Sequence, residues 1–294
     1  MKELSILIFC ILFAACVPKQ DMIEKNPFLI EKGSRPMVIG HGGAKKLFPE
    51  NTMLAFEGAF EIGLDVLEMD LVLTKDDILV THHDLTLERM SDGTGALMYY
   101  DYEELLEWNY GDGFEDINGN FPYQDSMVML PKLEEVFDRF GNFYYNIEIK
   151  NRGDRGKKAA EVLKTLIEDY NLQKKVLVAS FDDEALMHFR EITNDEVLIS
   201  TSEKESRDFA YTGLSGMEYL YSPDAAVVQL PANAGIIPLD VKRMVRSAHR
   251  RNMAIHYWTI NDKASMRKLI EHGVDGIITD RPDIMNELLL EMGF

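Results

Sequence analysis

Short apolar runs alternate with amphipathic segments along most of the chain. The runs Met37–Gly40, Val66–Leu73, Tyr144–Lys150, Lys175–Ser180, Val197–Ser200, Ala226–Leu230, Met253–Ile260 and Gly276–Thr279 are too short for buried helices, so each predicts a strand. A segment with helical periodicity follows each: Thr52–Ile62, Leu133–Phe140, Asp154–Tyr170, Asp183–Ile192, Glu203–Tyr211, Leu239–Arg251, Asp262–Glu271 and Ile284–Met292. Met244, Val245 and Ala248 mark one such stripe, and Met266, Leu269 and Ile270 another. Strands alternating with helices pair in parallel, and eight such units close into a (β/α)8 TIM barrel, an α/β fold over residues 36–294. The rhythm breaks once, between strand two and helix two, where Ile78 to Leu130 is rich in Gly, Asp and aromatics. An insertion over about residues 85–130 of this kind is usually functional. Asp112, Asp116, Asn118 and Asn120 suggest a calcium loop, but Phe121 stands where that loop needs Gly and Met127 where it needs Glu.

Polar residues interrupt strands that a barrel covers on both faces. In Val66-Leu67-Glu68-Met69-Asp70-Leu71-Val72, a period of two puts Glu68 and Asp70 on one face and the apolar residues on the other. Two buried like charges repel and lose hydration, and one divalent cation would offset both; oxygen-only ligands point to Mg²⁺ or Ca²⁺. A pairing with Lys or Arg at the strand end is the structural alternative. Strand three repeats the anomaly as Asn146-Ile147-Glu148-Ile149-Lys150, with Glu148 and Lys150 sharing a face. Neighbouring strands bring Glu68, Asp70 and Glu148 to one place, with the Lys150 ammonium beside them. His41, in Gly40-His41-Gly42-Gly43, and His83, in Thr81-His82-His83-Asp84, suit an acid–base pair around such a site. His82 points to the opposite face. His188, His249 and His272 fall in helical segments or at their ends and read as solvated, while His256 shares a strand face with Trp258 and reaches toward the same pocket.

The first residues change the picture of where the domain sits. Met1 and Lys2 precede an apolar run from Leu4 to Ala15, too short for the ~20 residues that span a bilayer. Residues 1–15 have the proportions of a signal peptide, and Leu12-Phe13-Ala14-Ala15-Cys16 resembles a bacterial lipobox. Cys16 is then the lipidated residue, residues 16–35 hold it and a tether, and the protein is exported and membrane-anchored, periplasmic or on the cell surface. The alternative is a soluble secreted protein cleaved nearby. Cys10 and Cys16 are the two cysteines, so the body has no disulfide, thiolate metal site or cysteine nucleophile. The formal charge of −19 makes nucleic acid an unlike partner and restricts membrane contact to the lipid anchor, because phosphate-rich surfaces need clustered Lys and Arg.

In this order, the motifs resemble the glycerophosphodiester phosphodiesterase family. The resemblance is carried by His41-Gly42-Gly43-Ala44, Pro49-Glu50-Asn51-Thr52, the Glu68, Asp70, Thr74 and Asp76 pattern, and His83-Asp84 followed by Asp92-Gly93-Thr94-Gly95. It continues through Leu130-Pro131-Lys132-Leu133-Glu134-Glu135, Ile147-Glu148-Ile149-Lys150, Trp258-Thr259-Ile260-Asn261 and Gly273–Pro282. It implies that Glu68, Asp70 and Glu148 bind one divalent metal and that His41 and His83 are the acid–base pair. Lys150 would contact the phosphate and Trp258 would line the wall for the alcohol. The implied reaction cleaves small glycerophosphodiesters to sn-glycerol 3-phosphate and an alcohol such as choline or ethanolamine. Gly42 departs from the family, which has a phosphate-contacting arginine there; Lys45 or Lys46 is the candidate substitute. The rival expectations are sphingomyelinase D-like or phospholipase-type headgroup cleavage at the same site, or a non-catalytic, ligand-binding surface lipoprotein.

Overall fold

Each apolar run forms a strand, and the register of those strands closes them on themselves. The computed structural model describes residues 26–217, 220–221 and 224–294; residues 1–15, Cys16 and the tether up to residue 25 lie outside the described residues. The strands are β1 (Met37–Gly40), β2 (Val66–Leu73), β3 (Leu79–Thr81), β4 (Tyr145–Ile149), β5 (Val176–Ala179), β6 (Leu198–Ile199), β7 (Val227–Pro231), β8 (Asn233–Ala234), β9 (Ile237–Pro238), β10 (Ala254–Trp258) and β11 (Gly276–Thr279). Eight of them are parallel and run round the barrel in the order β1, β2, β4, β5, β6, β7, β10, β11. Four residue pairs join β11 back to β1, and the parallel bridge Ser200–Val227 joins the β6 and β7 edges. This is the TIM barrel that the alternation predicts.

Helices cover the outside: α1 (Met53–Ile62), α2 (Tyr102–Leu105), α3 (Leu133–Phe140), α4 (Gly153–Asp169), α5 (Asp183–Thr193), α6 (Glu203–Ser215), α7 (Lys242–His249), α8 (Lys263–His272) and α9 (Pro282–Glu291). Their starts are fixed locally, since the side chains of Thr52, Asp182, Ser202 and Asp262 each accept a backbone N–H of the first turn. α7 is shorter than its apolar pattern predicts, because the chain stays extended through Val241 and Asn252 takes a left-handed conformation beyond the helix end. α6 runs four residues past Tyr211 and stops where Gly216 adopts positive φ.

Alternation along each strand sorts the core into two layers. Leu67, Met69 and Leu71 of β2 and Ile147 and Ile149 of β4 face the helices. Ile39, Val66, Leu177, Val227 and Ala254 face the barrel interior. That interior is apolar at the end where the strands begin and polar at the end where they finish.

Residues 26–30, which the sequence assigns to the tether, close the apolar end. Asn26 Nδ2 donates to Ala226 O at 2.9 Å and Ile30 N to Asp275 Oδ1 at 3.2 Å, both just before strands. Between them Phe28 is fully buried in the interior cluster, edge-on to Tyr144 with ring centroids 5.8 Å apart. Such a plug contributes like any core aromatic, so Phe28→Ala should cost about 3–5 kcal/mol, read as a lower denaturant midpoint. A loss under ~1 kcal/mol would show that the barrel closes without it.

His256 sits in this sealed layer against Phe28, with centroids 6.1 Å apart. It faces inward as the period of two requires, but too deep to line the cavity above, which corrects the expectation that it reaches the pocket. Burial pushes its imidazole down to about 4. An imidazole titrating near 6.5 in the unfolded chain takes up its proton on unfolding between those values, so stability falls as pH drops through that window. The expected loss is about 3 kcal/mol, and His256→Gln should flatten the dependence of the denaturation midpoint on pH between 4 and 6.5 relative to wild type.

Candidate active site

β2 is long enough to overshoot the barrel rim, and that overshoot builds half the site. Leu71, Val72 and Leu73 pair antiparallel with Thr81, Val80 and Leu79 of β3, after a turn in which Thr74 Oγ1 donates to Asp76 at 2.6 Å. β3 therefore returns to the rim, where His82 N donates to Asp70 O at 2.9 Å and His83 follows at the mouth. The remainder of the insertion packs as its own cluster, in which Leu87, Leu97, Tyr102, Leu105 and Tyr110 are buried against Val72 and Val80.

Asp70 and Glu148 are direct neighbours in the β2–β4 register, and Glu68 lies two residues below Asp70 on the same face. Lys150 Nζ lies 2.9 Å from Asp70 Oδ1 and 2.8 Å from Glu148 Oε1. Asn51 clamps the other side of Asp70: its Nδ2 donates to Oδ2 at 2.8 Å and its Oδ1 accepts Asp70 N at 3.0 Å. Gly42, at φ 52°, presents its N–H to Glu68 Oε2 at 2.5 Å. Burial and then the charge of Asp70 push the Glu68 and Glu148 carboxyls up. Burial works against ionisation of Asp70 as well, but Lys150 and the two histidines outweigh it and hold Asp70 down.

Each candidate histidine is held by a carboxylate through Nδ1, which leaves its Nε2 for other partners. His41 Nδ1 is 2.6 Å from Asp280 Oδ1, and Asn261 Nδ2 donates to Asp280 Oδ2 at 2.6 Å. Burial alone would depress His41, but Glu68, Asp280 and Asp70 overcome it and hold the imidazole at about 9. His83 Nδ1 is 2.8 Å from Asp84 Oδ1, and Arg89 pairs with both Asp84 and Glu50. Arg89, with His83, outweighs burial and keeps Asp84 down at about 2. Nothing in the local pattern marks Asn51, Asp84, Asp280, Asn261 or Arg89 as site residues. All but Arg89 lie in the family motifs, which were the available signal.

A cavity of about 300 Å³ opens at this end of the barrel, and His41, Glu68, His83, Glu148, Lys150 and Trp258 all line it. Phe181 stands edge-on to Trp258, with centroids 6.1 Å apart. Among the described residues lining it, Lys150 is the one lysine or arginine. The candidate substitutes for the family arginine do not reach in: Lys45 Nζ is bound to Glu50 Oε2 at 2.9 Å and Lys46 is exposed. His82, the residue after β3, is buried on the other side, edge-on to Tyr110. The outer histidines stand at the surface as the sequence predicts, His249 exposed and His188 and His272 partly so. Each still has a polar neighbour or a sheltered atom: His249 pairs with the fully buried Asp275 at 2.8 Å, His188 lies 3.4 Å from Glu161, and His272 Nδ1 is buried.

The acids fit a divalent cation by chemistry. With Glu68, Asp70 and Glu148 ionised, three negative charges face the single positive charge of Lys150, and the remainder matches one divalent ion with oxygen ligands. Asp70 Oδ1 is buried and accepts no aligned hydrogen bond, although the Lys150 ammonium lies beside it. Among the described residues no three such side chains close on a common point, because Lys150 bridges Asp70 and Glu148. An incoming ion competes with that ammonium for the same oxygens.

Two amides on the cavity floor, those of Asn146 and Gln229, carry buried atoms without a hydrogen-bond partner, Oδ1 and Nε2 respectively. An unpaired buried polar group of this kind costs about 1–3 kcal/mol.

Comparison with known proteins shows the family and the barrel. A family model described as the glycerophosphoryl diester phosphodiesterase family matches residues 41–284. A glycerophosphodiester phosphodiesterase of Bacillus altitudinis is 31% identical over 267 residues, which covers 87% of this chain and 98% of the relative. The glycerophosphoryl diester phosphodiesterase domain of a Mycobacterium tuberculosis protein matches with TM-score 0.77 at 15% identity, over 88% of this chain and 100% of that one. An Oleispira antarctica phosphodiesterase, solved in complex with the product sn-glycerol-3-phosphate, matches with TM-score 0.70 at 22% identity, over 87% of this chain and 97% of that one. At those identities the two solved structures speak to the barrel itself.

Proposed function

This chain belongs to the glycerophosphoryl diester phosphodiesterase family and is an enzyme of that activity; from this premise we propose how its own residues perform the reaction. The substrate is a glycerophosphodiester and the products are sn-glycerol 3-phosphate and an alcohol. The observation that carries the proposal is the meeting, at one mouth, of two carboxylate-held imidazoles with Glu68, Glu148 and Lys150, and with Asp70 buried directly behind them against Lys150.

Glu68, Asp70 and Glu148 would hold one divalent cation, which would supply the positive charge that binding so negative a group in so acidic a protein needs. Lys150 pairs with a non-bridging oxygen and offsets the charge that builds there. The two imidazoles divide the proton transfers. Glu68 and Asp280 hold His41 in the protonated form, which suits it to the acid's part and leaves the base's part to His83, whose Nδ1 is tied to Asp84. His83 Nε2 thus takes the proton of the attacking oxygen, and that oxygen bonds to phosphorus as the bond to the alcohol oxygen breaks. His41 Nε2–H then protonates the departing alkoxide. The attacking oxygen belongs to water or to the neighbouring glycerol hydroxyl; in the second case a cyclic phosphate forms and water opens it, with the same end products.

Trp258 and Phe181 wall the path by which the alcohol leaves. The remaining proposals concern place: Cys16 carries the lipid and holds the enzyme at a membrane from outside the cytoplasm. Incubating the purified domain with Mg²⁺ or Ca²⁺ and equal amounts of glycerophosphocholine and lysophosphatidylcholine tests the substrate class. Choline released from the first, with sn-glycerol 3-phosphate as co-product, is expected; release from the lysolipid alone would favour the phospholipase-type reading.

A further inference from the structure

We propose that Asn146 and Gln229 select the glycerol end of the substrate by hydrogen bonding its hydroxyls at the cavity floor. This rests on the glycerophosphodiester reading above and adds to it the residues that recognise the glycerol.

Both side chains face the barrel interior. Asn146 lies between Tyr144 and Glu148 on the inward face of β4, and Gln229 follows the inward Val227 on β7. Layers at this depth are ordinarily filled by branched apolar side chains. Here two primary amides line the floor, with Asn146 only 4% exposed, and neither Asn146 Oδ1 nor Gln229 Nε2 has a hydrogen-bond partner. Each amide offers a donor end and an acceptor end, and an alcohol hydroxyl both donates and accepts. A polyol therefore satisfies both amides, whereas an apolar group satisfies neither and a cation leaves the donor ends unpaired.

The position of the floor says which end of the diester it meets. On the inward face of β4 the order from floor to mouth is Asn146, Glu148, Lys150, so a phosphate at Lys150 has one ester arm directed down toward Asn146 and the other outward. The outward arm passes Trp258 and Phe181, the latter 44% exposed, where alcohols of different size have room to leave. The invariant glycerol takes the closed end. Sites that hydrogen-bond a substrate hydroxyl discriminate strongly against ligands that lack it, because their own polar groups are then stranded.

Asn146→Leu and Gln229→Met, of similar volume, test this against a structural role. Wild type in the presence of Mg²⁺ is expected to melt higher with sn-glycerol 3-phosphate than with the same concentration of inorganic phosphate, and each variant should lose that difference. Each variant should also lose roughly 10- to 100-fold in kcat/KM on glycerophosphocholine. Its ligand-free melting temperature should equal or exceed that of wild type, since an unpaired amide has been removed. Asn146→Ala and Gln229→Ala, which add no bulk, guard against a fold lost to crowding. Melting temperatures well below wild type in all four variants, or an unchanged preference for sn-glycerol 3-phosphate over phosphate, would overturn the assignment. Failure of wild type to cleave any glycerophosphodiester would instead sink the underlying reading, so the two failures are distinguishable.

Discussion

His83→Ala should lower kcat on glycerophosphocholine by ~10²- to 10⁴-fold while the protein stays folded, because the side chain is 36% exposed and its main tie is the single contact with Asp84. His41→Ala should cost a similar factor on that substrate, yet the two variants should separate when the leaving group changes. A glycerophosphate ester of 4-nitrophenol releases a phenolate that needs no proton. His41→Ala, lacking the acid, should recover most of its loss on that ester. His83→Ala, lacking the base, should remain slow on both. The reverse pattern would exchange the two roles, and unchanged turnover in His83→Ala would remove it from the chemistry altogether. Asp280→Asn belongs to the same series: it removes the carboxylate charge 2.6 Å from His41, one of those that keep the imidazole protonated, and should behave as a milder form of His41→Ala.

Chelation should have an effect at least as large. EDTA is expected to abolish turnover, and Mg²⁺ or Ca²⁺ to restore it, because Lys150 alone cannot neutralise three acids and a phosphodiester together. Stability supplies a readout independent of activity. The cation-free cluster holds Glu68, Asp70 and Glu148 in mutual repulsion, so adding the ion should raise the melting temperature of wild type. Ligand at 100 times its Kd corresponds to about 2.7 kcal/mol. Glu68→Gln removes one charge and one strong ligand, and should shift the cation concentration for half-maximal activity upward by at least ~10-fold. Full turnover in rigorously cation-free enzyme would leave Lys150 and the imidazoles as the whole of the catalytic charge.

Much of this arrangement is legible from local pattern. β1, β2 and β11 begin and end where their apolar runs do, since two covered faces leave a parallel strand little freedom in composition. The same rule exposes Glu68, Asp70 and Glu148, which stand out because a buried strand has no other reason to carry them. Residues that act across long stretches of chain are not legible in this way. Asp280 meets His41 across 239 positions, and nothing near either residue signals the pairing. β3 is only three residues long, too short for periodicity to register, although it is what returns His83 to the mouth. Phe28 opens a run of three apolar residues, Phe28-Leu29-Ile30, too short to predict an element and read as tether until the open end of a barrel is there to receive it. His256 shows a different limit: a period of two gives the face of a strand but not the depth along it, and one layer separates the cavity from the sealed core.

The most direct measurement is anomalous scattering from crystals of the domain soaked in Mn²⁺, which takes the same hard oxygen ligands as Mg²⁺. A single strong peak about 2.0–2.6 Å from oxygens of Glu68, Asp70 and Glu148 together, beneath His41 and His83, is expected. No peak there, or an ion held elsewhere on the surface with Lys150 still bridging Asp70 and Glu148, would contradict the proposal that these three acids gather one cation for phosphodiester cleavage.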